Sequence, residues 1–212
     1  MIADYVGKVH NVDCLEFMRE LPDGCVDLVF ADPPYWVGFE YDGKLDTEIN
    51  RWPATSLLEE FKRISRCSLI TCGMRSIAEW SALQPDWMCA WFKPGSTRRN
   101  GLRGFNTWEP ILVFGKPEIA VYQDAIRLPD CANHADISWH PCPKPMKLLS
   151  WIIQNFSVDG AVVFDPFMGS GTTAIACEKL GRRWLGCEIN PEYCELATRR
   201  IKQEQGKVKL FV

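Results

Sequence analysis

Two stretches place an acid and a proline directly behind an apolar run: VDLVFADPPY, from Val26 to Tyr35, and AVVFDPFMGSGTT, from Ala161 to Thr173. In the first, the rings of Pro33 and Pro34 fix φ and remove two donor N–H groups, so the Asp32 carboxylate and the neighbouring carbonyl oxygen are offered as acceptors only. That arrangement suits a substrate carrying an NH₂ group. Tyr35 adds a flat face on which a base can stack. In the second stretch, Gly169 and Gly171 allow backbone angles and a close approach that side chains block, and Thr172 with Thr173 opens a helix whose N–H groups favour an anion. The loop lacks the Gly-Lys-Ser/Thr ending of a P-loop, which makes a nucleoside triphosphate a poor fit. Glu188 stands at the end of the next strand-like run, roughly 20 residues on, where a carboxylate commonly takes ribose hydroxyls. These features predict a nucleoside-containing ligand with an anionic tail. The structural alternatives are a plain strand-to-helix connection for the glycine loop and a rigid strand-ending turn for Asp-Pro-Pro-Tyr.

The elements that must position these residues alternate between strand-like and helix-like, which predicts a mostly parallel α/β sheet with helices on both faces. A strand over Tyr5–Asn11 leads to a helix from Cys14 to Glu20, followed by the strand Val26–Ala31. Helix Trp52–Arg66, strand Ser68–Cys72 and helix Ser76–Leu83 come next. Trp87–Lys93 and Glu109–Gly115 read as two strands that pair antiparallel at one edge. Leu149, Ile152, Ile153 and Phe156 fall at the spacing of one buried helix face within Pro145–Phe156. Ala161–Phe164 is a strand, the following helix runs through Leu180 with Gly181 as its stop, and Arg183–Glu188 is the last strand. Asn190 caps a final helix that carries Pro191 at its first position. In an open parallel sheet ligands bind at the carboxyl ends of strands where the strand order reverses, so two strand-then-Asp-Pro loops on neighbouring strands face one crevice.

The 212 residues, 47% hydrophobic, fit one domain over residues 1–212, with a small recognition insert at 117–139 and a basic loop at 94–106. No apolar run reaches membrane-span length and the sequence opens without a basic-plus-apolar leader, so a cytoplasmic protein is expected. Ten cysteines without a C-x-x-C pair read as reduced, mostly buried thiols. Cys131, His134, His140 and Cys142 have residue types that suit tetrahedral zinc, but a Cys-Pro-rich loop holds such residues without metal, and no metal site is assigned. The net charge of −3 gives no general attraction to nucleic acid, so phosphate contacts must come from a local patch. The candidate is KPGSTRRNGLRG, with Lys93, Arg98, Arg99 and Arg103, whose alternative is a solvated surface loop.

Taken together, DPPY, DPFMGSGTT, HPCPKP at His140–Pro145, GCEINPEY at Gly186–Tyr193 and the N-terminal GKVHNVDCLEFM resemble the DNA amino-methyltransferases that use S-adenosylmethionine. The motif order is similar to that of the permuted, beta-group members. The resemblance implies a Rossmann-like class I methyltransferase fold, with an antiparallel edge hairpin, and a DNA-modifying enzyme of the restriction-modification kind in a bacterium or its virus. Residue by residue, it implies that Asp165, Phe167, Gly169, Gly171 and Thr172 surround the methionine part of the cofactor. Glu188 takes its ribose, Asp13 and Cys14 lie beside its adenine, and His140 and Lys144 close over the methionine end. Asp32, Pro33, Pro34 and Tyr35 are the catalytic motif, with Asp32 also bordering the cofactor.

The chemistry then follows from the residues: a base inside a duplex must be flipped out to reach such a pocket, with stacking on Tyr35 as partial compensation. Hydrogen bonds from its NH₂ to Asp32 and to the Pro33 carbonyl aim a nitrogen lone pair at the methyl donor. Within the family an Asp before Pro-Pro-Tyr resembles the adenine N6 enzymes, while cytosine N4, RNA, or a non-catalytic nucleic-acid binder of the same fold stay as alternatives. Arg98, Arg99 and Arg103 become phosphate contacts on this reading. The short insert at 117–139 leaves recognition to that loop, to a second copy of the chain or to a separate specificity partner.

Overall fold

The computed structural model describes residues 2–35, 40–41, 44–45, 52–73, 76–96, 104–129 and 144–208. After a 3₁₀ turn at Ile2–Asp4, the chain forms β1 (Val9–His10), α1 (Cys14–Glu20), β2 (Val26–Ala31), β3 (Glu40–Tyr41) and β4 (Lys44–Leu45). It continues through α2 (Ala54–Ile64), β5 (Ser65–Thr71), α3 (Ile77–Ser81), β6 (Trp87–Phe92), β7 (Trp108–Gly115) and β8 (Ala125–Arg127). The last third holds α4 (Met146–Phe156), β9 (Val162–Asp165), α5 (Thr172–Lys179), β10 (Arg183–Cys187) and α6 (Pro191–Val208).

Among the described residues eight strands form one sheet in the order β1-β10-β9-β2-β5-β7-β6-β8, and β3 with β4 forms a separate antiparallel pair. Only β7 runs against the others in the large sheet. Side chains alternate across the sheet, so each face has its own core. Phe30, Leu69, Ile111 and Val163 pack with α4 and α5, whereas Val29, Ile70, Leu112 and Phe164 pack with α1, α2 and α3. From β9 the chain moves outward through β10 on one side, while from β2 it moves outward through β5 on the other. The reversal of strand order therefore falls between β2 and β9, and both Asp-Pro loops leave the sheet at that point.

The expected elements form, with differences at their ends. The first strand shrinks to Val9–His10, because Gly7 adopts a left-handed φ of 75° and donates its N–H to the Trp184 carbonyl at the end of the preceding turn. Helix α2 starts after Pro53 and stops at Ile64, since Ser65 already belongs to β5. The antiparallel pair β6–β7 forms but is not the sheet's edge: Ala125–Arg127, within the segment expected as an insert, adds β8 parallel to β6. Three residues are too few to show strand alternation in a sequence.

Gly171 fixes the seat of α5. Its φ is 81°, and a Cβ there would lie 3.0 Å from the Ala197 Cβ of α6. A left-handed L residue costs about 1–2 kcal/mol. Gly171→Ala is expected to remove about 2 kcal/mol of stability and lower the thermal midpoint by about 4–8 °C, read by circular dichroism. Gly160→Ala, with a similar φ of 75° and open space around its Cβ position, is the control and should cost about half as much.

Candidate active site

Asp32 follows the last residue of β2 and is held from three sides. The Tyr35 hydroxyl donates to Oδ1 at 2.9 Å and the Thr71 hydroxyl, from the end of β5, donates to the same oxygen at 2.5 Å. The Lys144 ammonium, just ahead of α4, lies 2.7 Å from both carboxylate oxygens. It also stands over the Tyr35 ring, 4.8 Å from the centroid. Burial pushes the Tyr35 phenol well above its usual range and the Asp32 charge pushes it the same way, so the hydroxyl stays protonated and remains a donor. Gly73 makes room for that ring: a Cβ there would lie 3.0 Å from Tyr35 Cδ2.

One strand away, Asp165 closes β9 and is buried. It accepts the Thr173 hydroxyl at 2.5 Å and the Phe167 backbone N–H at 2.9 Å, which ties the glycine loop across its own base. Glu188, beyond β10, accepts the Gly169 N–H at 2.8 Å and the Asn190 N–H at 2.9 Å, fastening the loop from the other side. Burial raises the Asp165 carboxyl to about 7 against the pull of those two donors, and the charges of Asp32 and Glu188 raise it further. Three acids thus converge on the crevice, a field that favours a positively charged ligand.

The third wall comes from Asp13. Its Oδ1 caps α1 by accepting the N–H groups of Leu15 and Glu16, and its Oδ2 accepts the indole N–H of Trp52 at 2.7 Å. Trp52 in turn meets the Phe167 ring edge-on, with centroids 5.4 Å apart. The α1 cap and the glycine loop are therefore joined through one indole. Cys14, beside it, is buried, and that burial raises its thiol to about 12, so it is a packing group rather than a nucleophile.

The structure brings Asp32, Pro33, Pro34, Tyr35, Lys144, Asp165, Phe167, Gly169, Gly171, Thr172 and Glu188 to the carboxyl edge of the central strands, with Asp13 and Cys14 at the start of the neighbouring α1. Arg98, Arg99, Arg103, His140 and the Cys131, His134 and Cys142 group lie outside the described residues. Lys93 is corrected: it is only 1% exposed, pairs with Glu109 and sits 4.8 Å over the Trp91 ring, so it is a core cation and not a phosphate contact. Thr71 and Trp52 were not singled out by sequence reasoning, and Thr173 was read as opening the helix and not as the donor to Asp165. Thr71 carried a signal, a hydroxyl ending an apolar run beside a strand that ends in an acid; Trp52 carried none, since its partner Asp13 is 39 residues away. Among the described residues there is no His/Cys/Asp/Glu group of metal-binding geometry, the eight cysteines are free, and no helix is long and apolar enough to cross a membrane.

An α/β sheet of this order, with an acid at the end of each strand flanking the reversal and a glycine loop opening the helix after one of them, is the class I methyltransferase architecture. The family model described as DNA methylase matches residues 26–199, most of the chain, and the protein belongs to that N6/N4 DNA methylase family. The chain is 28% identical to the putative methylase YubD of Escherichia coli (strain K12), over 91% of its own length and 89% of that protein's. It is 27% identical to the DNA adenine methyltransferase YhdJ of the same organism, over 93% and 85%. The crystal structure of the M1.HpyAVI–SAM complex superposes with a TM-score of 0.66 at 24% identity, covering 91% of this chain and 98% of that one.

The Asp165 environment has a sign that stability measurements read. Between its ordinary value of 3.8 and about 7 the folded protein holds a proton that the unfolded chain has released, so stability falls as pH rises through that window. The wild-type thermal midpoint is expected to drop by several degrees from pH 5 to pH 8, and Asp165→Asn to drop measurably less. Equal slopes for the two proteins would contradict the assignment.

Proposed function

We propose that the protein transfers a methyl group from S-adenosylmethionine to the exocyclic amino nitrogen of a base flipped out of DNA, with adenine N6 as the target. The observation that carries this reading is the Asp32 carboxylate, pinned by Thr71 and Tyr35 at the switch between β2 and β9, beside a crevice lined by the acids at the ends of β9 and β10. The residues present fit the cofactor. Asp165, Phe167, Gly169, Gly171 and Thr172 would hold its methionine end and Glu188 its ribose. Asp13 and Cys14, with Trp52, would border its adenine, and His140 with Lys144 would close the methionine side. The cofactor supplies an electrophilic methyl on a sulfonium, whose positive charge the three converging acids favour.

The chain's own residues do the rest. Asp32 and the Pro33 carbonyl accept the two amino hydrogens, which turns the nitrogen lone pair out of conjugation with the ring and toward the methyl. Thr71 and Tyr35 both donate to Asp32 Oδ1 and keep that carboxylate in place, so its orientation costs nothing when the base arrives. Tyr35 offers the ring face for the base, and Asp32 is the group placed to take the proton that the nitrogen sheds. Arg98, Arg99 and Arg103 supply phosphate contacts. The Asp at the head of the motif and the likeness to an adenine methyltransferase support adenine over cytosine.

Labelled methyl from S-adenosylmethionine should appear in unmethylated genomic DNA as N6-methyladenine after digestion to nucleosides. Asp32→Ala should lower the rate by at least about 100-fold, the scale of losing a positioned acceptor in the reacting geometry. N4-methylcytosine in its place would move the target base, and no methylated base despite cofactor binding would sink the reading. The short insert further supports action as a dimer on DNA, and light scattering of the protein free and on substrate DNA should show two copies; a monomer in both would rule that out.

A further inference from the structure

Lys144 occupies the place that the proposed reaction reserves for its substrate. Its ammonium donates to Asp32 at 2.7 Å, where the target amino group must donate, and stands over the Tyr35 ring, 4.8 Å from the centroid, the ring on which the base must stack. A stacked ring lies with its atoms about 3.5–4 Å from those of its partner, so ammonium and base compete for one volume. The pair is mostly out of water, with Lys144 11% and Asp32 23% exposed. Displacing the ammonium leaves the carboxylate in need of a donor.

We infer that Lys144 is a built-in stand-in for the target amino group, which makes base entry an exchange of one N–H donor for another and selects bases that carry an exocyclic amine. This rests on the base-binding reading of Asp32 and Tyr35. A base with an amino group restores the hydrogen bond that the lysine gives up and recovers a ring contact on Tyr35. A base that offers only keto oxygens at that position leaves the Asp32 carboxylate facing another acceptor, which is penalised. Lys144 would therefore act before chemistry, as a positioning residue that holds the pocket in shape and filters its occupant. Its sequence neighbourhood, HPCPKP, lies immediately ahead of α4, so the ammonium has a short tether to a buried helix and can leave without unseating the core.

The test uses the full-length protein and the deoxynucleoside of 2-aminopurine, a fluorescent probe with an exocyclic amine whose emission falls on stacking. Its quenching midpoint is expected to be about five-fold lower for Lys144→Met than for wild type, since entry no longer displaces an ion pair. Lys144→Gln, which keeps an N–H donor for Asp32, should lie between. Thymidine as competitor should be rejected by wild type and by Lys144→Met alike, since a keto oxygen faces the Asp32 carboxylate in both, while 2′-deoxyadenosine should compete better in Lys144→Met. In steady-state methylation of unmethylated genomic DNA at saturating S-adenosylmethionine, the Met variant should show a lower KM for DNA than wild type. Equal midpoints in all three proteins, quenching by none, or an unchanged KM for DNA would overturn the inference. Methyl transfer with unshifted midpoints would refute the role of Lys144 alone; shifted midpoints without transfer to any DNA would refute the DNA reading and leave the pocket filter standing.

Discussion

The structure depends on one adjacency, the parallel pairing of β2 with β9 in the register Leu28 to Val163 and Val29 to Phe164. The two strands belong to halves of the chain more than 130 residues apart, and each ends in an acid followed by proline. Pairing brings Asp32 and Asp165 to the same edge of the sheet, and Glu188 joins them from β10, which is paired with β9. Parallel strands cannot be joined by tight turns, so their carboxyl ends are free to open into loops, and the reversal of strand order leaves a crevice there that no crossover helix fills. Bringing three carboxylates together is unfavourable without counter-charge. The protein meets that with Lys144 at Asp32, with backbone N–H groups at Glu188, and by shifting Asp165 toward the protonated form.

On the face of the sheet that carries Asp32, the end of β2 and the neighbouring strands set out a row of polar groups in an otherwise apolar core. Asp32 and Thr71 are joined directly, Tyr35 fills the space left by Gly73, and Glu109 follows on β7 with Lys93 at the end of β6. A buried lysine is costly unless paired, and Lys93 is paired with Glu109 and lies against Trp91. The charges of Asp32, paired with Lys144, and of Glu109, paired with Lys93, both act on the buried Tyr35 hydroxyl and help keep it protonated. Rigidity at this edge comes from these fixed donors and acceptors, and the reaction proposed for the site gains from it because acceptors that are already oriented need no rearrangement when charge develops.

Much of this was legible in the residues. The apolar run before Asp32, the 3.6-period face of α4 and the Asn190 cap of α6, which accepts the N–H groups of Glu192 and Tyr193, all encode local structure in local sequence. The strand-then-Asp-Pro pattern, read twice, also pointed to a shared crevice. Three things were not legible. Strand β8 is three residues long and owes its existence to β6, not to its own pattern. Trp52 acquires its role from Asp13 and Phe167, which reach it from two other elements. Lys93 sits in a run of basic residues that looks like a phosphate patch, yet it directly follows β6 and is buried, so its partner is Glu109 on the adjacent β7.

The sequence by itself determined which residues have the chemistry: a rigid acid with acceptors only, a flat ring beside it, a loop free of side chains, and a second and third acid at strand ends. It did so because dihedral limits, hydrogen-bonding capacity and hydrophobic period are properties of a residue and its near neighbours. Tertiary structure alone decided which of these groups meet. Strand order placed Asp32 next to Asp165, burial and the neighbouring acids set the protonation of Asp165, and the packing of α4 brought Lys144 across 112 residues onto Asp32 and the Tyr35 ring. Proximity across the chain, and the electrostatics that follow from it, are consequences of how the elements pack, and no local pattern carries them.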